Sequence, residues 1–192
     1  MMGAWDGRVS FAEVFASARA GDERAFASLW RWLHPLLLRW LSVVVPGGSE
    51  DVASEVWLTI TRDLDVFEGD ERDFRGWVFT VARRRAVDWA RGRARQPQVV
   101  HLGEVDLVDP VATSSALVDE ADAQRAALAL MRELTDDQRE VVALRVIVGM
   151  TVTETAAVVG KSEGAVRVLS HRALRGLAER LEAEKQARGA SA

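Results

Sequence analysis

The sequence predicts an all-α protein of two small helical domains, and three observations predict it. Apolar residues recur at three- and four-residue spacing on both sides of a central stretch, without strand-like alternation. Three pairs, Ser10 with Glu13, Thr135 with Gln138 and Thr151 with Glu154, have the form of helix-opening capping boxes. Between the two helical halves, Gln96–Asp119 carries Pro97 and Pro110, several Ser and Thr residues and no sustained period, which reads as a linker.

The elements follow in order. Ser10 opens a short helix that ends near Gly21, and Asp22 is placed to cap the next. Phe26, Leu29, Trp30, Leu33, Leu37, Trp40 and Val44 then form one apolar stripe. Pro35 lies inside that helix and is expected to bend or divide it, and Pro46-Gly47-Gly48 ends it. Ser49 is the expected cap of a third helix, with Glu50 and Asp51 in the first turn, where the helix dipole favours acids. Its inner face is Val52, Val56 (or Trp57) and Ile60, and Asp63–Arg72 reads as a loop. A fourth helix spans Asp73–Arg95. After the linker the helical pattern resumes through Ala123, Ala126, Ala127, Leu130, Met131 and Leu134. Thr135 starts a helix with Val141, Val142, Leu144 and Val148 inward, ended by Gly149. The expected domains are therefore 8–96 and 123–186, joined by a flexible acidic linker over 97–122.

Composition removes several classes of function. The chain has 192 residues and no cysteine, so disulfides, thiolate zinc sites and a Cys nucleophile are excluded, and a reducing cytosol is compatible. The opening residues lack the basic region and apolar run of a signal peptide, and no apolar run is long enough to span a bilayer. The three histidines, His34, His101 and His171, are widely separated, and no metal-ligand spacing or phosphate-cradling Gly loop occurs, which argues against an enzyme and implies no cofactor. The net charge of −4 conceals an uneven distribution. Six acids and no Lys or Arg fall between Gln98 and Asp122, whereas six arginines fall between Arg83 and Arg95 against the single acid Asp88.

In that arginine-rich helix, Phe74, Trp77, Val78, Val81, Ala82 and Trp89 keep near-helical spacing, so one face can enter a core while arginines crowd the others. Taken alone it reads either as a solvated surface helix or as a helix that holds a phosphate backbone through guanidinium forks. A second constellation is Thr151–Leu181. A capping box, the small Ala156, Gly160 at the turn, Ser162 as the next cap and the stripe Val166, Leu169, Ala173, Leu177 have the order of a helix-turn-helix. Its second helix would enter a major groove, presenting Lys161, Ser162, Glu163, Ala165, Arg167, Ser170, His171 and Arg172. A plain helical hairpin is the alternative.

These residues resemble the extracytoplasmic-function sigma factors of bacterial RNA polymerase, over about Ala25–Leu181. GGSEDVASEVWLTI resembles the helix that docks on the clamp helices of the largest polymerase subunit. FEGDERDFRGWVFTVARRRAVDWAR resembles the −10 promoter-melting region, and LTDDQREVVALRVIVGMTVTETAAVVGKSEGAVRVLSHRAL the −35-binding region. The chain departs from the family pattern at Ser54 (usually Gln), Arg84 (often Asn), Thr155 (Ile or similar) and Leu169-Ser170 (often Arg-Leu). Thr155 would leave a hydroxyl near the core, which must find a backbone carbonyl.

The resemblance implies a factor that binds core polymerase, recognises −35 and −10 elements and helps to open the promoter in the cytoplasm. It implies that Glu50, Asp51, Ser54 and Glu55 face the clamp helices and that the second domain meets the flap of the second-largest subunit. Phe67, Glu68, Gly69 and Asp70 would form a pocket for a flipped base, and Arg75, Arg83, Arg84, Arg85 and Arg91 would hold the strand. The resemblance would place the linker in the channel where RNA leaves, whereas its residues alone read as a solvated spacer, and an anti-sigma factor is a further implied partner. Trp77 reads as a core residue in preference to a wedge that parts the strands, Trp30, Trp40 and Trp57 are likewise expected in the core, and Trp32, off the stripe, is expected to be exposed at an interface. The competing reading is a helix-turn-helix regulator that does not bind core polymerase.

Overall fold

The computed structural model describes residues 10–95 and 129–189. The chain splits into two compact units at the step from Gln98 to Val99. All regular structure among the described residues is helical. The expected linker, 97–122, lies outside the described residues, as do Ala123, Ala126 and Ala127.

The first unit is built from α1 (Phe11–Arg19), α2 (Glu23–Val44), α3 (Ser49–Arg62), one 3₁₀ turn at Leu64–Val66, and α4 (Glu71–Arg95). Ser10 and Glu13 close the expected capping box, and the Asp22 carboxylate accepts from the Arg24 and Ala25 amides, which fixes both helix starts. Such caps contribute about 1 kcal/mol each. The core of α2 is Leu29, Leu33, Leu37, Trp40, Leu41 and Val43. Val44, expected on the stripe, is only half-buried. Pro35 does not divide the helix: α2 runs unbroken through it, because the side chains packed on either side outweigh the one backbone bond that proline removes. Helix α3 buries Val52, Ala53, Val56, Trp57 and Ile60, so both alternatives for its inner face, Val56 and Trp57, are inside. Helices α2 and α3 pack on α4, whose Phe79 meets Trp40 edge-on at 5.8 Å between ring centroids.

Two local expectations are corrected. Ser49 is the first helical residue of α3 and the cap is Gly48, which has no side-chain oxygen to accept from the first-turn amides. The reason is tertiary: Gly48 is buried, and a Cβ there would come within 2.7 Å of Trp89 Nε1. The supposed loop Asp63–Arg72 is shorter than expected. It contains the 3₁₀ turn, and α4 begins at Glu71 because Asp70 caps it, accepting from the amides of Arg72 (2.8 Å) and Asp73 (3.0 Å). Asp73 returns the bond from the Asp70 amide at 3.0 Å, a capping box made with Asp where Glu is usual.

The second unit has helical residues 129–132, then α5 (Asp136–Val142) continued by a π turn at Ala143–Ile147, α6 (Val152–Val159) and α7 (Glu163–Gly189). Thr135–Gln138 and Thr151–Glu154 both close as capping boxes. In the π turn the Val148 amide reaches the Ala143 carbonyl, and Gly149 then leaves the helix with φ +75°. Val141, Val142, Leu144 and Val148 are buried as expected. Leu134, Val142 and Ala173 form a core cluster, with Met131 and Leu177 packed against it.

Candidate nucleic-acid and polymerase interface

The helix-turn-helix geometry follows from three local choices. Gly160 takes the left-handed conformation, φ +66° and ψ +34°, which a side chain would strain, and its amide returns to the Ala156 carbonyl. Ser162 Oγ then accepts from the Ala165 amide at 3.2 Å and starts α7. Val166 and Ala173 are buried on the inner side, while Leu169 and Leu177 are half-buried. Thr155 is fully buried, and its hydroxyl donates to the Thr151 carbonyl at 2.8 Å, the partner its position demanded.

The turn is held by hydrogen bonds to carboxylates. Lys161 Nζ donates to Asp137 at 2.9 Å, joining the turn to α5. The Thr153 hydroxyl donates to Glu163 at 2.7 Å, joining α6 to α7. That hydrogen bond, with the neighbouring Arg167 guanidinium, holds the Glu163 carboxyl below the usual carboxylate range. Arg167 pairs with Glu163 at 2.7 Å, one turn earlier on the same helix. Arg167, His171 and Arg172 are exposed, as is Ser162, and Ala165 is half-buried. Ser170 does not belong to that surface: its Oγ is enclosed and finds no partner. Lys161 and Glu163 act first within the fold.

On the first unit, the loop between α3 and α4 is backed by aromatic rings. Phe67 is only 9% exposed, stacked on Trp77 at 5.0 Å and edge-on to Phe15 at 5.3 Å and Phe74 at 5.4 Å. Its ring is therefore a support beneath the loop. Gly69, at φ +152°, lies where a Cβ would approach the Asp73 carboxylate to 2.9 Å and Phe67 Cζ to 3.0 Å. The Asp73 and Arg72 amides hold the exposed Asp70 carboxyl below the usual carboxylate range. Trp77 is half-buried and belongs to this cluster. Trp32 is corrected: it is half-buried between Phe11 (6.2 Å) and Phe74 (6.5 Å), so packing inside the unit accounts for it.

The arginines of α4 divide by environment. Arg84 is exposed. Arg75 and Arg83 are half-buried. Arg85 donates to the Thr59 hydroxyl at 3.0 Å and lies 3.8 Å from Glu55, so it ties α4 to α3. Arg91 is exposed and 3.8 Å from Asp88. Arg93 stacks over Trp89 at 5.3 Å.

Glu50, Asp51, Ser54 and Glu55 are all exposed on α3. Beside Glu50 and Ser54 lies an open groove of about 500 Å³ that is also lined by Trp30, His34, Trp57, Leu58 and Thr61. Sequence reasoning missed it. Trp30, expected in the core, is 39% exposed, and Leu58 is 71% exposed. The Trp57 indole donates to His34 Nδ1 at 3.2 Å, and Trp30 stacks on His34 at 4.1 Å. An indole N–H can only donate, so His34 Nδ1 must be the unprotonated nitrogen. Burial pushes the His34 pKa down, opposed by the nearby Glu50 carboxylate. The i, i+4 spacing of Trp30 and His34 was the available signal, but their partner Trp57 lies on another helix. Among the described residues no group of His, Asp or Glu could hold a metal ion, and no helix is long and apolar enough to cross a membrane.

Comparison with known proteins agrees with this arrangement. The family model for sigma-70 region 2 matches residues 29–96, and that for sigma-70 region 4 matches residues 124–177. The chain is 35% identical over 176 residues to the ECF RNA polymerase sigma factor ShbA of Streptomyces griseus, spanning 83% of this chain and 90% of that protein. It is 34% identical over 178 residues to SigD of Mycobacterium tuberculosis, spanning 88% and 83%. To BldN of Streptomyces coelicolor it is 33% identical over 171 residues, with 88% of this chain and 65% of the relative covered. The solved structure of CnrH in complex with the cytosolic domain of CnrY superposes with a TM-score of 0.64 at 26% identity, covering 88% of this chain and 96% of that one. Two sigma regions in order, each on its own helical unit, and relatives of this similarity together place the chain in the extracytoplasmic-function family of RNA polymerase sigma factors.

Proposed function

We propose that residues 8–96 carry the polymerase-binding and −10-reading work of this sigma factor, and residues 123–186 the −35 reading. The observation that carries the second assignment is the exposed row Arg167, His171 and Arg172 on α7, presented by the left-handed turn at Gly160. Arg167 can turn from Glu163 to a guanine edge or a phosphate at small cost, because an exposed ion pair contributes only about 0–1 kcal/mol. On the first unit, Glu50, Asp51, Ser54 and Glu55, with the groove around Trp30 and Leu58, face the clamp helices. The Phe67–Asp70 loop receives a flipped base of the separated strand, and Arg75, Arg83, Arg84 and Arg91 serve its phosphates. Arg85 contributes mainly by fastening α4 to α3.

The polymerase supplies the chemistry; this chain selects and opens the promoter and needs no cofactor, acting in the cytoplasm where that DNA is. An anti-sigma factor is the proposed regulator; the similar structure of CnrH is of a complex with a second protein, the cytosolic domain of CnrY.

Reconstituted core polymerase tests the assignment. Run-off transcription over genomic fragments should start at discrete sites only when this chain is added. Arg83→Ala with Arg84→Ala should spare duplex binding by the second unit and reduce promoter opening; unchanged opening removes the melting assignment. A helix-turn-helix regulator outside the polymerase would instead fail to be retained by core polymerase in the absence of DNA.

A further inference from the structure

Helix α1 precedes the matched region 2 residues 29–96, and the reading above gives it no task. Its side chains converge on the loop between α3 and α4. Arg19 Nη2 donates to the Asp65 carbonyl at 3.0 Å, inside the 3₁₀ turn of that loop. The same guanidinium lies over the Phe15 ring at 6.0 Å. Phe15 in turn meets Phe67 at 5.3 Å and Phe74 at 5.5 Å, both edge-on, and stacks on Phe11 at 5.5 Å. One helix thus holds the loop at two points: by a hydrogen bond to its backbone and by a ring packed against the side chain beneath it.

We propose that α1 is a clasp that sets the shape of the strand-reading loop, with Arg19 and Phe15 as positioning residues for base selection at the −10 element. The inference rests on the reading of Phe67–Asp70 as the pocket for an unstacked base. The physical ground is preorganisation. A loop that must order itself around each base gives part of the binding energy back as lost freedom, and gives it back for every base alike. A loop already held has polar groups fixed at positions that suit one base edge and leave another unsatisfied. The 3₁₀ turn has weak internal support, since the Val66 and Phe67 amides make backbone bonds of 3.3 and 3.4 Å. The Arg19 bond is shorter than either, and it comes from outside the loop. Arg19 is exposed, so its removal leaves the buried rings in place.

The test uses holoenzyme made from core polymerase and the full chain, with a library of single-stranded DNA oligonucleotides randomised over the −10 length. Bound oligonucleotides are sequenced for base preference, and total affinity is measured on the unselected pool. For Arg19→Ala, the preference at the most selective position should fall by about fivefold, the factor expected for one lost hydrogen bond. Pool affinity and retention on core polymerase should stay within about twofold, because neither the phosphate contacts nor the α3 surface has changed. Arg19→Lys, which can still donate to the Asp65 carbonyl, should recover most of the preference. Amide hydrogen exchange over residues 63–70 of the free chain should speed up in Arg19→Ala and not in Arg19→Lys. Glu68→Ala, on the loop itself, is the reference. If it abolishes preference while Arg19→Ala keeps it in full, the clasp is overturned and the pocket stands. If neither variant alters preference, the pocket reading fails and takes the clasp with it.

Discussion

The indole of Trp89, near the end of α4, lies against Gly48 at the start of α3, close enough that any side chain at residue 48 would overlap it. This contact joins the arginine-rich helix to the start of the helix that carries Glu50, Asp51, Ser54 and Glu55. Gly48→Ala should therefore destabilise the first unit by roughly 1–3 kcal/mol, the usual cost of overpacking. Gly48→Ala combined with Trp89→Leu should recover part of the loss, since the smaller side chain vacates the space. Urea unfolding of the two variants and wild type checks this.

Arg84 and Arg85 are adjacent in sequence and should separate in experiment. Arg84→Ala should leave stability within about 0.5 kcal/mol, as for other exposed positions. It should also weaken promoter opening and reduce its salt dependence. Arg85→Ala should cost about 0.5–1 kcal/mol of stability through loss of the Thr59 bond and the partly exposed Glu55 pair. Thermal unfolding and heparin-resistant complex formation, measured side by side, distinguish them.

His34 gives the first unit a pH dependence with a definite sign. Its folded pKa lies below its ordinary value because burial disfavours the imidazolium. The unfolded chain then binds more protons than the folded one as pH falls through the ordinary histidine range, so stability is lost on acidification and complete above it. Protonation at Nδ1 would also set two donors against each other across the Trp57 bond. The urea midpoint should fall between pH 7.5 and 5.5, and the fall should be smaller in His34→Gln, whose amide oxygen can still accept from Trp57.

Thr155→Val should be nearly neutral, within about 0.5 kcal/mol of wild type, or slightly stabilising. The hydroxyl is fully buried and its acceptor, the Thr151 carbonyl, also receives the Thr155 amide at 2.9 Å. Removing the hydroxyl therefore leaves no polar group unsatisfied. A loss above about 2 kcal/mol in denaturant unfolding would mean that the hydroxyl's bond to the Thr151 carbonyl stabilises the helix start by more than its burial costs, since valine keeps the shape of threonine.

Arg167→Ala should weaken binding to a −35 duplex by about three- to tenfold, with a salt slope smaller by about one if the contact is to phosphate. Glu163→Gln should strengthen non-specific duplex binding, because it removes a negative charge beside Arg167 and from the groove-facing turn. Equal affinity of Arg167→Ala and wild type at every salt concentration would remove Arg167 from the contact surface.

How much was legible beforehand depended on the range of the forces involved. Ser10–Glu13, Thr135–Gln138 and Thr151–Glu154 closed as read, because a capping box is complete within four residues. Gly160 and Ser162 were equally readable, one needing only its own backbone angles and the other only the amide three residues on. Ser49 misled because Trp89, remote in sequence, occupies the space beside Gly48. Trp30 and Trp32 exchanged their expected roles for a similar reason. Periodicity places a residue on one face of α2, whereas α1 and α4 decide which neighbouring faces are covered.

By itself, then, the sequence determined the all-α class, the order of the helices, the capping boxes at Ser10, Thr135 and Thr151 and the helix-turn-helix, since each of these follows from contacts a few residues apart. Only the tertiary structure decided which arginines face outward, that Phe67 supports its loop from beneath, that α1 grips the loop through Arg19, and that Trp30, His34 and Trp57 form a groove. Those outcomes depend on which side chains from distant parts of the chain meet across the core, and spacing along one helix carries no record of its partner.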